Sequence, residues 1–206
     1  NWWIFDIGFS NFTDNTNYAD AVASGFVAPG VNEESLQARA GKSRNIGIWI
    51  FMQRLNMIKH IVNLKYGLGL ELNNYYFDNK DIKFNKNPTF IDMTYENLDK
   101  NKLAADYITL PLMINFNFTP EKRNNNFGIS LGVSGGWLYS ARQKIKQDGE
   151  VSKTKSDFDL RNWKLSYIGE LSLGPIKVYG SYAFRSMFER GLDLTPYNVG
   201  LRFSNW

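Results

Sequence analysis

A chain of 206 residues with 43% apolar and 16% aromatic residues can bury one core, and its 17 glycines point toward β structure with close backbone approaches. The net charge of +4 is mild and no long Lys/Arg run exists, so nucleic acid is not expected as a partner. Cysteine is absent, which excludes a disulfide framework and any cysteine-based metal site, and no apolar run is long enough for a transmembrane helix.

Eight segments alternate large apolar residues with small or polar ones, at the period of a strand. The chain opens directly on the first and shows no signal peptide, as expected of a chain from which an upstream signal has been removed. In 2–10, Trp3, Phe5, Ile7 and Phe9 share one face, and Asp6, Gly8 and Ser10 share the other. Segment 45–53 is apolar on both faces, with Ile46, Ile48 and Ile50 forming one of them. Segment 61–73 is the most regular, from Val62 and Leu64 to Leu72 on one side and from Asn63 and Lys65 to Glu71 and Asn73 on the other. Segment 107–118 sets Ile108, Leu110, Leu112, Ile114, Phe116 and Phe118 against Thr109, Pro111, Met113 and two asparagines. In 127–140 Phe127, Ile129, Leu131, Val133, Trp137 and Tyr139 oppose glycine and serine. Segments 165–173 and 176–188 follow, and 197–206 closes the chain with Tyr197, Val199, Leu201 and Phe203 against Asn198, Gly200, Arg202 and Ser204.

The connections fall at 12–43, 56–60, 78–105, 119–126, 148–162, Gly174–Pro175 and 189–196, and their lengths alternate. That rhythm predicts an all-β fold: a single domain, 1–206, forming an eight-stranded antiparallel up-and-down transmembrane β-barrel with short turns at one end and long loops at the other. Strand 2–10 is expected to pair with 197–206 and seal the barrel, with Asp6 beside Arg202.

Which face looks inward separates two readings. A soluble barrel fills its interior with large residues, whereas a membrane barrel turns them to lipid and keeps a polar lumen. Here the polar face is mostly Gly, Ser and Asn, with charges of both signs: Asp6, Lys65, Glu71, Glu170, Lys177, Arg185 and Arg202. A desolvated lone ion costs several kcal/mol, so opposite signs sharing a narrow lumen are expected to pair there. A soluble lipocalin-like lipid-binding barrel is the alternative. Aromatic residues gather near strand ends: Trp2, Trp3, Phe118, Phe127, Phe203 and Trp206 at one rim, and Tyr75, Tyr76, Trp137, Tyr139, Trp163 and Tyr197 at the other. This is the pattern of two interfacial girdles.

No catalytic, cofactor or metal residue is expected. The single histidine, His60, falls in a short turn, which leaves no Ser-His-Asp set elsewhere and no ordinary zinc ligand set. "GLGLE" and "GVSGG" do not open helices, so their glycines read as clearance in a crowded interior rather than phosphate loops. Glu71 and Glu170 read as lumen ion-pair partners rather than a glycosidase pair. In "ARQKIKQ", Arg142, Lys144 and Lys146 alternate on one face above the membrane, placed to meet lipopolysaccharide phosphates; a solvated hairpin gives the same pattern. The two long loops carry Tyr18, Phe26 and Val27, and Ile82, Phe84, Phe90, Ile91, Met93 and Tyr95. Apolar residues at that density are expected to pack as a cap, with the second set presenting a docking surface to another outer-membrane or periplasmic protein; a self-contained cap with no partner gives the same pattern.

"DYITLPLMINFNF" (106–118), "FGISLGVSGGWLYSARQKIK" (127–146) and "GPIKVYGSYAFRSMFERGLDLTPYNVGLRF" (174–203) together resemble the PorT-type outer-membrane β-barrel family, and more broadly the small OmpX- and OmpA-like barrels. The resemblance covers the second half of the chain, and the first half only by strand pattern. It implies an eight-stranded barrel in the outer membrane with no known catalytic residues. The whole pattern then reads as a non-enzymatic barrel of a Gram-negative envelope, expected to act as a scaffold or as a subunit of a larger envelope complex. Some members serve type IX protein secretion, so an accessory role there is the alternative the resemblance implies.

Overall fold

The computed structural model describes residues 2–121 and 127–204, apart from the side chains of Trp2 and Trp3. Among these residues the elements run β1 (Trp2–Asp14), α1 (Tyr18–Ala23), α2 (Glu33–Leu36), β2 (Arg44–Ile58), β3 (Val62–Tyr76), β4 (Lys83–Asn85), β5 (Phe90–Asp92), β6 (Lys100–Asn117), β7 (Phe127–Gln147), β8 (Glu150–Lys155), β9 (Trp163–Leu173), β10 (Ile176–Ala183) and β11 (Leu194–Phe203). Strands β1, β2, β3, β6, β7, β9, β10 and β11 are the staves, each antiparallel to the next. The seam closes where β1 pairs with β11, from Phe5↔Phe203 to Asp14↔Leu194. Closure gives every stave two partners, which is what backbone amides need in a solvent that cannot hydrogen-bond them.

The wall is inverted relative to a water-soluble protein. Phe5, Ile7 and Phe9 of β1, Leu110, Leu112 and Ile114 of β6 and Val199 and Leu201 of β11 are each 42–58% exposed, while Asp6, Ser10, Asn63, Lys65, Glu170 and Arg202 are 0–5% exposed. Exposed apolar side chains recur on seven of the eight staves, and on β3 the outward residues from Val62 to Leu72 are half-buried. Such a surface cannot stand in water, so the soluble lipid-binding alternative is wrong: the large residues that would line its cavity lie outside.

Two local features explain how the lumen is filled. In β2 the pairing skips Ile50, since Trp49 lies opposite Gly69 and Phe51 opposite Leu68. This bulge shifts the inward phase from odd to even residues, so Trp49 and Met52 both enter the lumen. That is why the segment reads as apolar on both faces. At the seam Gly8 lies opposite Gly200 and the Tyr179 ring rests across the pair. A Cβ on Gly8 would come within 2.7 Å of the Tyr179 hydroxyl, and one on Gly200 within 2.8 Å of its ring.

The upper ends of the staves depart from expectation. Residues 100–105, expected in a loop, belong to β6, and β7 runs on to Gln147, where β8 folds back on it from Gln147↔Glu150 to Arg142↔Lys155. Strand β10 ends at Ala183, five residues short of the expected end, and the chain turns away at Phe184. Tyr75, expected at the outer rim, instead points inward and is buried. Trp137, Tyr139 and Trp163 do face outward, with Trp163 67% exposed. At the other end Phe118 and Phe127 face outward with their rings 5.5 Å apart. Trp206, the Trp2 and Trp3 side chains and turn residues 122–126 lie outside the described residues.

Above the wall, residues of four outer connections close over the barrel mouth in an ordinary apolar core: Phe26 and Leu36, Phe84 and Ile91, Phe158 and Leu160, Phe188 and Leu192. Phe84 is its hub, with the Phe77, Phe158 and Phe188 rings at 5.6, 5.7 and 6.4 Å. The first long loop is tied to the second by Ala28 N–H donating to the Ile91 carbonyl at 2.8 Å and Ile91 N–H to that of Phe26 at 2.9 Å.

Candidate functional site

The lumen is built around Arg202. Register places it opposite Asp6, and its guanidinium clasps that carboxylate, Nε to Oδ1 at 2.7 Å and Nη2 to Oδ2 at 2.6 Å. Its remaining nitrogen, Nη1, reaches Glu170 Oε2 on β9 at 2.8 Å. Lys65 of β3 donates to the other Glu170 oxygen, and Trp49 Nε1 donates to Asp6 Oδ2 at 2.7 Å. The guanidinium plane lies over the Trp49 and Tyr179 rings, 4.9 and 5.5 Å from their centroids. Two cations thus face two anions in a neutral cluster, and the planar fork of arginine suits it to bind two carboxylates at once.

A second cluster lies one layer closer to the cap. Lys164 donates to Glu71 Oε1, which also accepts from Asn198 at 2.9 Å and Asn73 at 3.1 Å, while Thr109 donates to Oε2 at 3.3 Å. Ser10, Asn45, Asn73 and Asn198 extend this into a buried chain of amide and hydroxyl contacts at 2.8–3.1 Å. Between the two clusters the free space is only about 40 Å³, lined by Asp6, Asn45, Trp49, Glu71, Glu170 and Arg202. That is room for a few waters at most, not a path for ions.

Asp6, Lys65, Glu170 and Arg202 therefore meet in one cluster, and Glu71 in the other. Lys177 is also buried inward and donates to the Ser204 hydroxyl. Arg185 is a correction: because β10 ends two residues earlier, it leaves the inward phase and lies exposed at the rim. There it lines a cleft of about 450 Å³ with Arg161, Trp163, Lys164 and Phe184, where the β9–β10 ladder stops at Ala183↔Ser166. Lys164, Trp49 and Tyr179 join the lumen although the alternation does not single them out. Lys164 stood one residue before the expected start of its strand, and extending the inward phase of Ser166, Glu170 and Ser172 backward would have found it.

The loop residues expected to dock a partner divide in two. Ile82, Phe84 and Ile91 are 0–2% exposed inside the cap, so they are corrected from surface to core. The hairpin that carries them is held by inward polar groups of the staves. Gln143 donates to the Ile82 carbonyl at 2.8 Å and accepts from Phe84 N–H at 3.0 Å, and Asn101 donates to the Lys80 carbonyl at 2.8 Å. Phe90 and Tyr95 are half-buried and Met93 is 38% exposed, so these three keep surface.

Arg142, Lys144 and Lys146 face outward on the upper part of β7, above Trp137 and Tyr139. Arg142 pairs with Asp106 of β6, whose second oxygen is buried without a partner among the described residues. Register puts Lys102 beside Lys144 and Lys100 beside Lys146, and β8 adds Lys153 and Lys155 on the same face. Lys102, well above the apolar band, is pushed down to about 8 by its burial and by the Lys144 and Arg142 charges. The sequence expectation puts these four lysines in loops, although "KNK" (100–102) and "KTK" (153–155) alternate with strand period. His60 sits in the β2–β3 turn at the end opposite the cap. Among the described residues no group of three His, Cys, Asp or Glu side chains is placed to hold a metal ion.

A family model described as an outer membrane protein beta-barrel domain matches residues 6–189 of the chain. No curated protein matches it.

Proposed function

Because the chain belongs to the outer membrane protein beta-barrel domain family, we propose that this OmpX-like, eight-stranded barrel works without catalysis as a closed scaffold or subunit of a Gram-negative envelope complex, contacting other proteins through the outer surface of its cap. The observation that carries the reading is the filled interior. With about 40 Å³ free between the lumen clusters and an apolar cap over the mouth, the barrel offers solutes no route, which leaves its outer surfaces as the places to act. Phe90, Met93 and Tyr95 are the part of the second loop available to a partner.

Two measurements test this. The purified monomer in a planar bilayer is expected to show no stable conductance; a steady open channel would overturn the closed-scaffold reading. Affinity purification from native membrane in mild detergent is expected to recover a protein partner, and Phe90→Ser, Met93→Ser and Tyr95→Ser together are expected to release it while the barrel still migrates as folded on an unheated gel. Retention of every partner by that variant would move the contact to the lipid-facing wall. The likeness of β6, β7, β10 and β11 to PorT-type barrels favours one finer reading, an accessory role in type IX secretion. Under it, deletion of the gene leaves type IX cargo inside the cell.

A further inference from the structure

Upper β6, upper β7 and β8 form a small three-stranded sheet above the apolar band. Register arranges its outward face as three rows: Lys100, Lys146 and Val151; Lys102, Lys144 and Lys153; Ala104, Arg142 and Lys155. Residues directly opposite across a ladder share a face, and the alternate positions Asn101, Leu103 and Gln143 are buried against the cap. Seven of the nine outward positions are thus cationic. Like charges placed opposite each other destabilise a sheet, yet here they recur in adjacent strands. Among the described residues, the bond from Arg142 to Asp106 is the one ion pair that any of the seven makes.

Two further features adjoin this grid. Below it Trp137, Tyr139 and Trp163 face outward, which marks the level of the membrane–water interface. The grid therefore points sideways, at headgroup depth, rather than upward into solution. Beside it opens a cleft of about 190 Å³, lined by Arg39, Lys42, Arg44, Lys80 and Lys100, with Asp99 as its single carboxylate. Tyr76 forms part of the wall, and the Lys102 ammonium lies 5.2 Å from its ring centroid.

We propose that the grid and this cleft together bind the phosphate groups of a phosphorylated outer-leaflet glycolipid of the lipid A type. The proposal rests on the reading of the chain as an outer-membrane barrel with its long loops outward. Cations on neighbouring strands stand about 5 Å apart and those along one strand about 7 Å apart, so one phosphate is reached by ammonium groups from two strands. The phosphates supply the counter-charge that the protein itself leaves out, and the cleft beside Tyr76 admits the sugar that carries them. An acidic protein would also match the charge, but the position directly above an aromatic girdle favours a lipid.

The test titrates the folded, detergent-purified barrel with bis-phosphorylated lipid A, the same lipid stripped of both phosphates, and phosphatidylethanolamine, reading bound lipid by native mass spectrometry. The phosphorylated form is expected to bind at least about tenfold more tightly than the other two, and Lys102→Gln, Lys144→Gln and Lys153→Gln together to remove that preference. Lys59→Gln with Lys86→Gln, off the grid and the cleft, is expected to leave it unchanged. Equal binding of both lipid A forms to the wild type, or a full preference in the triple variant, would overturn the proposal. So would polyglutamate displacing lipid A at matched charge, since the face would then be a general anion surface. If the triple variant fails to fold, the wild-type comparison of the two lipid A forms still decides. A wild-type protein that shows no shift between heated and unheated gels would count against the barrel itself and not against this site.

Discussion

The lumen and the cap are two interiors of one chain with opposite chemistry. In the lumen Arg202, Lys65, Asp6 and Glu170 form the centre, beside a small apolar cluster of Ile4, Trp49, Met52 and Met113. In the cap Phe84 takes the central place, with Phe77, Phe158 and Phe188 around it. The change occurs within single strands. Along the inward phase of β3, Lys65, Glu71 and Asn73 give way to Tyr75, and along β6 Thr109 gives way to Tyr107, Ala105 and Leu103. What differs is the solvent behind the wall. Where lipid lies outside, burying large apolar groups gains nothing, so they stay out and the narrow interior takes small and polar residues. Where water lies outside, the hydrophobic effect turns them in again. The depth at which the inward phase turns apolar thus marks where the protein leaves the membrane.

The largest break in this contrast comes from Arg202→Met. It leaves Asp6 and Glu170 short of a cation in a buried interior and is expected to cost roughly 3–5 kcal/mol, measured as urea unfolding from lipid vesicles, with loop proteolysis unchanged. Replacing Asp6, Lys65, Glu170 and Arg202 together by apolar residues of similar volume is expected to return most of that loss, because no ion is then stranded. In the other interior, Phe84→Ala is expected to cost about 3 kcal/mol of cap stability alone. Its signature is faster proteolysis of 82–95 with the heat-dependent gel shift of the barrel intact; loss of that shift would show that the two interiors fold as one. At the seam, Gly200→Ala is expected to cost about 2 kcal/mol or more, because its Cβ would come within 2.5 Å of the Gly8 Cα and the Ile7 carbonyl as well as meeting the Tyr179 ring, and Tyr179→Leu is expected to recover only a minor part of that loss, both read from urea midpoints. The smallest effect is expected at the exposed Arg39–Asp78 pair, bonded at 2.7 Å: Asp78→Asn should shift the midpoint by no more than about 0.5 kcal/mol.

Legibility followed the same division. In the membrane wall each residue has one neighbourhood on each face, so alternation alone placed Asp6, Lys65, Glu71, Glu170 and Arg202 inward. It failed where the period broke. The bulge at Ile50 hid Trp49 and Met52, and the early end of β10 turned Arg185 out of the lumen. Above the apolar band, alternation persists in Lys100–Asp106 and Glu150–Lys155, but without an apolar outer face those segments look like loops. The density of apolar residues in the long loops signals a need for packing partners, but not which of them packing consumes. Ile82 and Met93 look alike as symbols, and only the first is covered by the loops that converge on it.

By itself the sequence determined the strand count, the inverted wall and the pairing of the first strand with the last, because strand period and loop length are local properties that one-dimensional pattern carries. Only the tertiary structure decided that Arg202 joins Asp6 to Glu170, that Lys164 and not Arg185 completes the lumen, and that seven cations from three strands stand on one outward face. Each of these depends on register between segments up to 196 residues apart, and register is set by the closing of the whole ring rather than by any one strand.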